Sequence, residues 1–136
     1  EFTEHLRELL PPQTEIRYDT PYLWGDETLL VSMTVNLTEN AFRASGEEPQ
    51  VRVNITEKNG YAQIIVSDHG HGIPQEQIPL ITEPFYRVDK ARSRKHGGAG
   101  LGLAICKKIC ESHGGTLTIE SQVGQGTIVT AAILTN

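Results

Sequence analysis

The sequence is poor in cysteine, and that scarcity limits the structural classes open to it. Its 136 residues contain two cysteines, Cys106 and Cys110, four positions apart. This spacing places both thiols on one face of a predicted helix but suits disulfide geometry poorly, and two thiols alone do not make a structural zinc site. We therefore expect reduced cysteines packed in the core of a cytosolic protein.

Long apolar runs and an excess of positive charge are also missing. No apolar run approaches the ~20 residues of a membrane-spanning helix, and no signal-peptide pattern opens the chain. A net charge of -5 and a pI of about 5.5 argue against non-specific nucleic-acid binding, which favours basic domains. We expect neither nucleic acid nor a membrane surface as a direct partner. With 38% apolar and 21% charged residues, the composition is that of an ordinary globular domain.

Periodicity predicts about five strands and three helices. Apolar residues recur at helical spacing between Leu29 and Ala44, after a helix start with Asp26 as N-cap. Further helices are predicted over residues 1–10 and 101–112, and strands over 14–19, 51–55, 61–66, 116–120 and 127–134. Strict βαβ alternation is missing, so we expect an α+β sandwich in which one mixed sheet carries its helices on one face.

Glycine and positive charge are concentrated in one part of this acidic chain. A first glycine cluster spans residues 68–72 and a second spans 97–103, and five of the twelve Lys/Arg residues lie between them: Arg87, Lys90, Arg92, Arg94 and Lys95. Glycines allow close approach to the backbone, and helix N-termini attract phosphate. The arrangement therefore indicates a site for a phosphate-bearing polyanion.

Polar residues on the long helix indicate how such a ligand is held. Asn36 and Asn40 are one turn apart, and Arg43 follows three residues later on the same side. Amide oxygens can hold Mg²⁺ bound to phosphate, and an Arg can neutralise phosphate oxygens. Taken alone, these residues also fit an ordinary solvated helix face.

Asp68 ends a predicted strand and is followed by Gly70 and Gly72. A carboxylate there can accept hydrogen bonds from an exocyclic amine, while the glycines let a flat ring approach the backbone. The second cluster, with Gly98, Gly100 and Gly102, superficially resembles a dinucleotide fingerprint. The strand that a Rossmann fold requires before it is missing, and no Gly-Lys-Ser/Thr follows as in a P-loop.

The order of these motifs resembles that of a known family. Asn-Leu-Thr-Glu-Asn-Ala at 36–41, Asp-His-Gly-His-Gly at 68–72, Pro-Phe-Tyr-Arg at 84–87, Gly-Ala-Gly-Leu-Gly-Leu at 98–103 and Gly-Gln-Gly-Thr at 124–127 resemble the N, G1, F, G2 and G3 boxes of sensor histidine kinases. The resemblance implies the catalytic, ATP-binding domain of a two-component kinase. It also implies a Bergerat-type two-layer sandwich, in the superfamily of gyrase, chaperone, histidine kinase and mismatch-repair ATPases.

The resemblance assigns roles to individual residues. Asp68 would bind the adenine amino group, with Gly72 beneath the ring and Thr127 near the base, and Gly70 would also belong to the cofactor-binding residues. Asn40, assisted by Asn36, would hold Mg²⁺. Arg43 and Arg87 would contact the phosphates, and Tyr86 would line the nucleotide site. The lid over residues 88–97 and the phosphate-facing helix end would be shaped by Gly98, Gly100 and Gly102, with Leu101 also among the cofactor-binding residues.

The same resemblance implies what lies outside the site. Residues 1–12 would be the remainder of a helix or linker from a preceding dimerisation domain, and residues 13–136 the ATP-binding domain. The chain opens on Glu1 rather than Met, so we expect a piece of a longer protein. The phosphoacceptor His would lie on the dimerisation domain, since His5 has no acid after it. A response-regulator receiver domain would be the second partner, in a cytoplasmic setting with a possible inner-membrane anchor upstream.

Asn36 bears on the choice between functions within the superfamily. Its hydrolysing members carry a Glu at this position, which activates water; without that base, water attack is expected to be slow. Glu39 is adjacent to Asn40 but about 100° around the helix from it, and remains a candidate base toward an incoming His. Three alternatives stay open: a degenerate module that binds nucleotide as a signal, an ATP-hydrolysing switch of the gyrase or chaperone type, and a serine kinase that antagonises a transcription factor.

Overall fold

A computed structural model describes residues 2–20, 23–83 and 102–135. Within these ranges the chain forms three helices and five strands. They are α1 (Phe2–Leu9), β1 (Glu15–Tyr18), α2 (Glu27–Ser45), β2 (Val51–Lys58), β3 (Tyr61–Asp68), α3 (Gly102–Ser112), β4 (Thr116–Gln122) and β5 (Gly126–Leu134). A 3₁₀ turn covers Gln75–Gln77.

The strands form a mixed sheet in the order β1-β2-β3-β5-β4. β1 pairs with β2 in parallel, and the three remaining pairs are antiparallel. The predicted α+β sandwich with a mixed, mostly antiparallel sheet of five strands is therefore confirmed. The central strand β3 ends at Asp68, opposite Thr127 at the start of β5.

Alternation along the strands separates a buried face from an exposed one. Val53 and Ile55 of β2, and Ile64 and Val66 of β3, are fully or almost fully buried. The register pairs Val53 with Val66 and Ile55 with Ile64, so these side chains stand side by side on the inner face. The helices cover that face, and their apolar residues complete the core.

α2 is the central helix of the covering layer. Its residues Leu30, Met33 and Leu37 are at most 2% exposed, as the helical spacing predicts. Two threonines, Thr34 and Thr38, are also fully buried; each hydroxyl donates to the carbonyl four residues earlier, at 2.8 and 2.7 Å. These bonds allow hydroxyls into the core without unpaired donors.

The start of α2 is fixed from two sides. The side chain of Asp26 accepts from the N–H of Leu29 at 3.0 Å, which confirms the predicted N-cap. The N–H of Asp26 donates to Nε2 of His113, at the end of α3, at 3.1 Å. Gly25 adopts φ +147°, and a Cβ there would lie 2.5 Å from the His113 ring. The two helices are therefore joined at the end remote from Asn36 and Gly102.

α1 packs against α2 as part of the same core. Phe2, Leu6 and Leu10 are buried with the apolar residues of α2, whereas Leu9 is 51% exposed. The domain boundary expected at residue 12 stays a prediction. Across the described ranges, no helix is both long and apolar enough to cross a membrane.

Candidate functional site

The site is built around Asp68, whose carboxylate lies at the end of the central strand. The residue is only 7% exposed. Its Oδ1 accepts a hydrogen bond from the N–H of Gly70 at 2.8 Å, and the N–H of Thr127 also bonds to the carboxylate. A buried carboxylate is costly without such partners, and these donors leave part of its accepting capacity for a ligand.

Burial controls the ionisation of this group. Desolvation raises the pKa of Asp68 above its usual 3.8, while the N–H groups of Gly70 and Thr127 and the nearby His71 and His69 act in the opposite direction. Removal from water disfavours the charged form of a carboxyl group. Perturbed carboxyl groups of this kind are frequent at binding sites.

The loop after Asp68 packs directly against the end of α2. The N–H of His71 donates to the carbonyl of Ala44 at 3.2 Å. A Cβ on Gly70 would lie 2.2 Å from the same carbonyl oxygen, so no larger residue fits without a backbone shift. Because of this contact, the Asp68 loop is held close to the helix turn that carries Asn40 and Arg43.

The opposite side of the loop packs against the β4–β5 hairpin. Gly72 has φ +77°, and a Cβ there would lie 2.2 Å from the carbonyl oxygen of Gln122. A Cβ on Gly126 would lie 2.1 Å from the carbonyl oxygen of Asp68. The N–H of Gly124 donates to the carbonyl of His71 at 2.9 Å. Two glycine segments distant in sequence thus form a compact cradle without side chains.

α2 brings its predicted polar residues together. Asn36, Asn40 and Arg43 are each partly exposed. The Nη2 group of Arg43 donates a hydrogen bond to Oδ1 of Asn40. The guanidinium group and the amide oxygen therefore share one turn of helix, as the spacing predicts.

Gly102, the first residue of α3, lies against Asn36. A Cβ at this position would be 2.9 Å from Oδ1 of Asn36. The N-terminus of α3, where free N–H groups attract anions, therefore lies at the amide face of α2. Gly102 and Asn36 thus meet in space, although 66 positions separate them in the chain.

Several residues of the predicted site lie outside the described ranges. They are Tyr86, Arg87, Gly98, Gly100 and Leu101, together with the lid predicted over residues 88–97. The described part of the site consists of Asn36, Asn40, Arg43, Asp68, Gly70, Gly72, Gly102 and Thr127.

The sequence patterns did not single out Ser121, which the structure places inside the site. Its hydroxyl bonds to the N–H of Ile73, the carbonyl of Gly126 and the hydroxyl of Thr127. Its main-chain carbonyl accepts from the side-chain amide of Gln75. A signal was present, since Ser121 continues the inward-facing series Leu117 and Ile119 along β4 and is polar where that series is apolar.

These residues fit a nucleotide carrying a metal-bound triphosphate. Asp68 offers acceptor oxygens at the floor of a cradle lined with backbone, which suits an amino group on a flat base. Neutral amide oxygens at Asn36 and Asn40 are hard ligands of the type that Mg²⁺ binds. Among the described residues, no group of three or more His, Cys, Asp or Glu side chains is placed to hold a metal ion.

Comparison with known proteins identifies the family. A family profile described as "Histidine kinase-, DNA gyrase B-, and HSP90-like ATPase" matches residues 25–135. The chain belongs to this ATPase family. The assignment covers most of the described fold and both glycine clusters.

Several relatives within this ATPase family are sensor histidine kinases. The chain is 44% identical over 106 residues to sensor histidine kinase YkoH of Bacillus subtilis, covering 78% of this chain and 23% of that protein. It is 40% identical over 124 residues to the sensor-like histidine kinase SenX3 of Mycolicibacterium smegmatis, covering 89% of this chain and 32% of that protein. The chain thus spans a quarter to a third of the length of these relatives.

Solved structures agree with the observed architecture. The mycobacterial sensor histidine kinase MprB matches with a TM-score of 0.79 and 28% identity, covering 99% of this chain and 91% of that one. The catalytic domain of histidine kinase ThkA matches with a TM-score of 0.74 and 27% identity, covering 98% and 86%. The chain therefore corresponds to the ATP-binding catalytic domain of a sensor histidine kinase, as its motif order predicts.

Proposed function

We propose that this domain binds Mg²⁺–ATP in the cleft between α2, the Asp68 loop and the N-terminus of α3, and supplies the γ-phosphoryl group to a histidine on a separate dimerisation domain. The observation that carries the proposal is the buried Asp68 carboxylate, whose glycine loop packs against Ala44 at the end of the helix that carries Asn40 and Arg43. A full-length kinase of this type would then pass the phosphoryl group to a response-regulator receiver domain.

Each part of the cleft takes one part of the ligand. Asp68 accepts hydrogen bonds from the amino group of the base, and Gly70 and Gly72 allow the loop beside the base to pack against the backbone of Ala44 and Gln122. Asn40 and Asn36 hold Mg²⁺, which neutralises phosphate charge when bound. Arg43 and Arg87 orient the phosphate oxygens, and Tyr86 lines the nucleotide site. We expect Gly98, Gly100, Leu101 and Gly102 to serve the phosphate-facing helix end and the lid.

Asn36 supports phosphoryl transfer over hydrolysis. A carboxylate at this position of the helix would be placed to take a proton from an attacking water molecule, whereas a neutral amide does not act as a base in water. Bound ATP is then retained until the acceptor histidine arrives. Glu39 is exposed on α2, and it is the candidate residue to interact with that incoming histidine.

Isothermal titration calorimetry of the chain with a non-hydrolysable ATP analogue, with and without Mg²⁺, tests the proposed nucleotide binding. We expect saturable binding that is stronger with Mg²⁺ and much weaker for the corresponding GTP analogue. Lack of binding under all conditions would refute the site assignment. The control is Asp19→Asn, because Asp19 is exposed and lies outside the site.

The transfer half is tested by adding the dimerisation domain from the parent protein and ATP. Acid-labile phosphate should appear on that domain only when both components are present. Rapid release of inorganic phosphate by the chain alone would favour an ATP-hydrolysing switch instead. Nucleotide binding without any acid-labile phosphate in the full-length protein would favour a binding module.

A further inference from the structure

Ser121 lies near the end of β4 with its side chain facing inward, next to Thr127. Its hydroxyl has three partners. Its Oγ lies 2.8 Å from the N–H nitrogen of Ile73, 3.0 Å from the carbonyl oxygen of Gly126 and 2.7 Å from Oγ1 of Thr127. One hydroxyl therefore connects the loop that follows Asp68 with the β4–β5 hairpin. Thr127 is buried and stands directly opposite Asp68 in the sheet.

The hydroxyl of Ser121 carries only one proton, and this determines which of the Ser121 and Thr127 hydroxyls donates to the other. A serine hydroxyl has one proton and two lone pairs. The N–H of Ile73 can only donate and the carbonyl of Gly126 can only accept, so Ser121 accepts from the first and donates to the second. Its remaining lone pair faces Thr127, whose hydroxyl therefore donates to Ser121. If Ser121 donated to Thr127 instead, its lone pairs would face the Gly126 oxygen at 3.0 Å with no proton between them.

Thr127 consequently presents only lone pairs to its other neighbours. When it is ionised, the carboxylate of Asp68 beside it is also an acceptor without a proton. A purine whose 6-position lies against this pair meets acceptors alone at that position. A 6-amino group, which donates, satisfies them, whereas a 6-oxo group would place its own lone pairs against theirs.

We propose that Ser121 is a positioning residue that fixes the hydrogen-bond polarity of Thr127 and thereby makes the pocket prefer a 6-aminopurine to a 6-oxopurine. The proposal rests on the proposed nucleotide-binding function. It adds a specificity determinant that does not itself touch the base.

The test compares the dissociation constants of non-hydrolysable ATP and ITP analogues, which differ in the 6-position of the purine and the proton on N1. In wild-type protein the ATP analogue should bind more tightly. Ser121→Ala frees the Thr127 proton and removes the partner of Ile73, so it lowers both affinities. The preference for ATP over ITP should fall about 3- to 10-fold, the worth of one hydrogen bond.

Matched variants separate positioning from mere structural support. Ser121→Thr keeps the hydroxyl and should restore the preference. Thr118→Ala removes a hydroxyl from the exposed face of the same strand and should leave it unchanged. In a Thr127→Val background, Ser121→Ala should not alter the preference, because Ser121 acts through Thr127. Should Ser121→Ala not fold, Ser121→Cys serves the same purpose, since a thiol keeps the volume but accepts weakly.

The outcomes are distinct. An equal loss of affinity for both nucleotides, with the preference unchanged, would assign Ser121 a purely structural role and overturn the inference while leaving ATP binding intact. Failure of the wild-type protein to bind either nucleotide would overturn the proposed function itself, and the inference with it. A reduced preference in Ser121→Ala that Ser121→Thr restores would establish the positioning role.

Discussion

Asp68 combines a structural cost with the recognition role that we propose for it. Its carboxylate is buried and bonded to two main-chain N–H groups, of Gly70 and Thr127. Burial still raises its pKa, so desolvation outweighs those hydrogen bonds. A carboxylate buried at such cost at the end of the central strand is better explained by a ligand than by packing.

The binding affinity should therefore depend on pH through Asp68. Only the ionised carboxylate is free of protons, so affinity for the ATP analogue should fall as pH decreases through the raised pKa, which lies above the usual 3.8. Asp68→Asn should bind about 10- to 100-fold more weakly near neutral pH, the worth of a charged hydrogen bond. Its affinity should lack the acid-range decrease that Asp68 produces, as titration calorimetry from pH 4 to 8 will measure.

The stability of the protein should change in the opposite sense. A raised folded-state pKa means that the folded form binds this proton more tightly than the unfolded form. The contribution of Asp68 to the free energy of unfolding is thus fully present below the unfolded pKa and is lost as pH rises through the folded one. Thermal unfolding of Asp68→Asn against wild type should show this pH-dependent difference; identical pH profiles for the two proteins would contradict the assignment.

At the scale of elements, α2 is held by contacts at both ends. His113 and Asp26 join its start to the end of α3, and Ala44 near its end receives the Asp68 loop. Asn36 lies between these points, against Gly102. The helix thereby sets the distance between the Asp68 loop and the N-terminus of α3, which we propose bind the base and the phosphates.

Gly102→Ala tests the contact between α3 and Asn36. The added Cβ would lie 2.9 Å from Oδ1 of Asn36, and the side chain must move away. We expect the Mg²⁺-dependent part of the nucleotide affinity to fall several-fold, while helix propensity favours Ala over Gly by up to about 1 kcal/mol. Titrations with and without Mg²⁺ measure this effect.

Lys108→Ala, at an exposed position of the same helix, serves as the control and should leave both affinities unchanged. An unaltered Mg²⁺ dependence in Gly102→Ala would remove Asn36 from the metal site.

The two cysteines of α3 belong to the core that joins α3 to α2. Both are free and 0% exposed, as the sequence predicts, and Sγ of Cys110 lies 3.6 Å from Sδ of Met33. Burial raises the pKa of Cys106 to about 12 and that of Cys110 to about 11. Since the thiolate is the reactive form, native protein at pH 8 should react with a thiol reagent only as fast as it opens.

Denatured protein is the control for this labelling, and two thiols per chain should react in it without delay. A fast-reacting thiol in the native protein would show that the α2–α3 interface is open in solution.

At the scale of the whole molecule, one core joins the helical layer to the sheet. α1 contributes to it through Phe2, Leu6 and Leu10, and the inner residues of β2, β3 and β5 form its other side. The site lies at the edge of this core, where the central strands end. Nucleotide binding should therefore depend on the integrity of a core built from both ends of the chain.

Substitutions in α1 test whether this helix belongs to that core. Leu6→Ala removes a fully buried side chain and should lower the free energy of unfolding by about 2 to 5 kcal/mol. Leu9→Ala changes a side chain that is 51% exposed on the same helix and should have an effect within about 0.5 kcal/mol. Urea unfolding followed by circular dichroism measures both; equal effects would show that α1 does not pack on the core.

Much of the fold follows from local patterns, because those patterns report which residues turn inward. The alternation in Val51, Val53 and Ile55, the helical spacing through Leu30, Met33 and Leu37, and the Asp26 cap each predict the element that is observed. The order of the glycine and asparagine motifs predicts the family. These patterns can be read from a single sequence because they depend on chemistry within a few residues of chain.

The tertiary structure alone decided the contacts between segments distant in sequence. No local pattern indicates that Gly70 meets Ala44, that Gly102 meets Asn36, or that Ser121 bonds to both Ile73 and Thr127. The sequence by itself determined the kinds of element, their order and the chemistry of the candidate ligands. The sheet order and the approach of helices to loops determined where those groups lie, because such contacts arise only when a common core is packed.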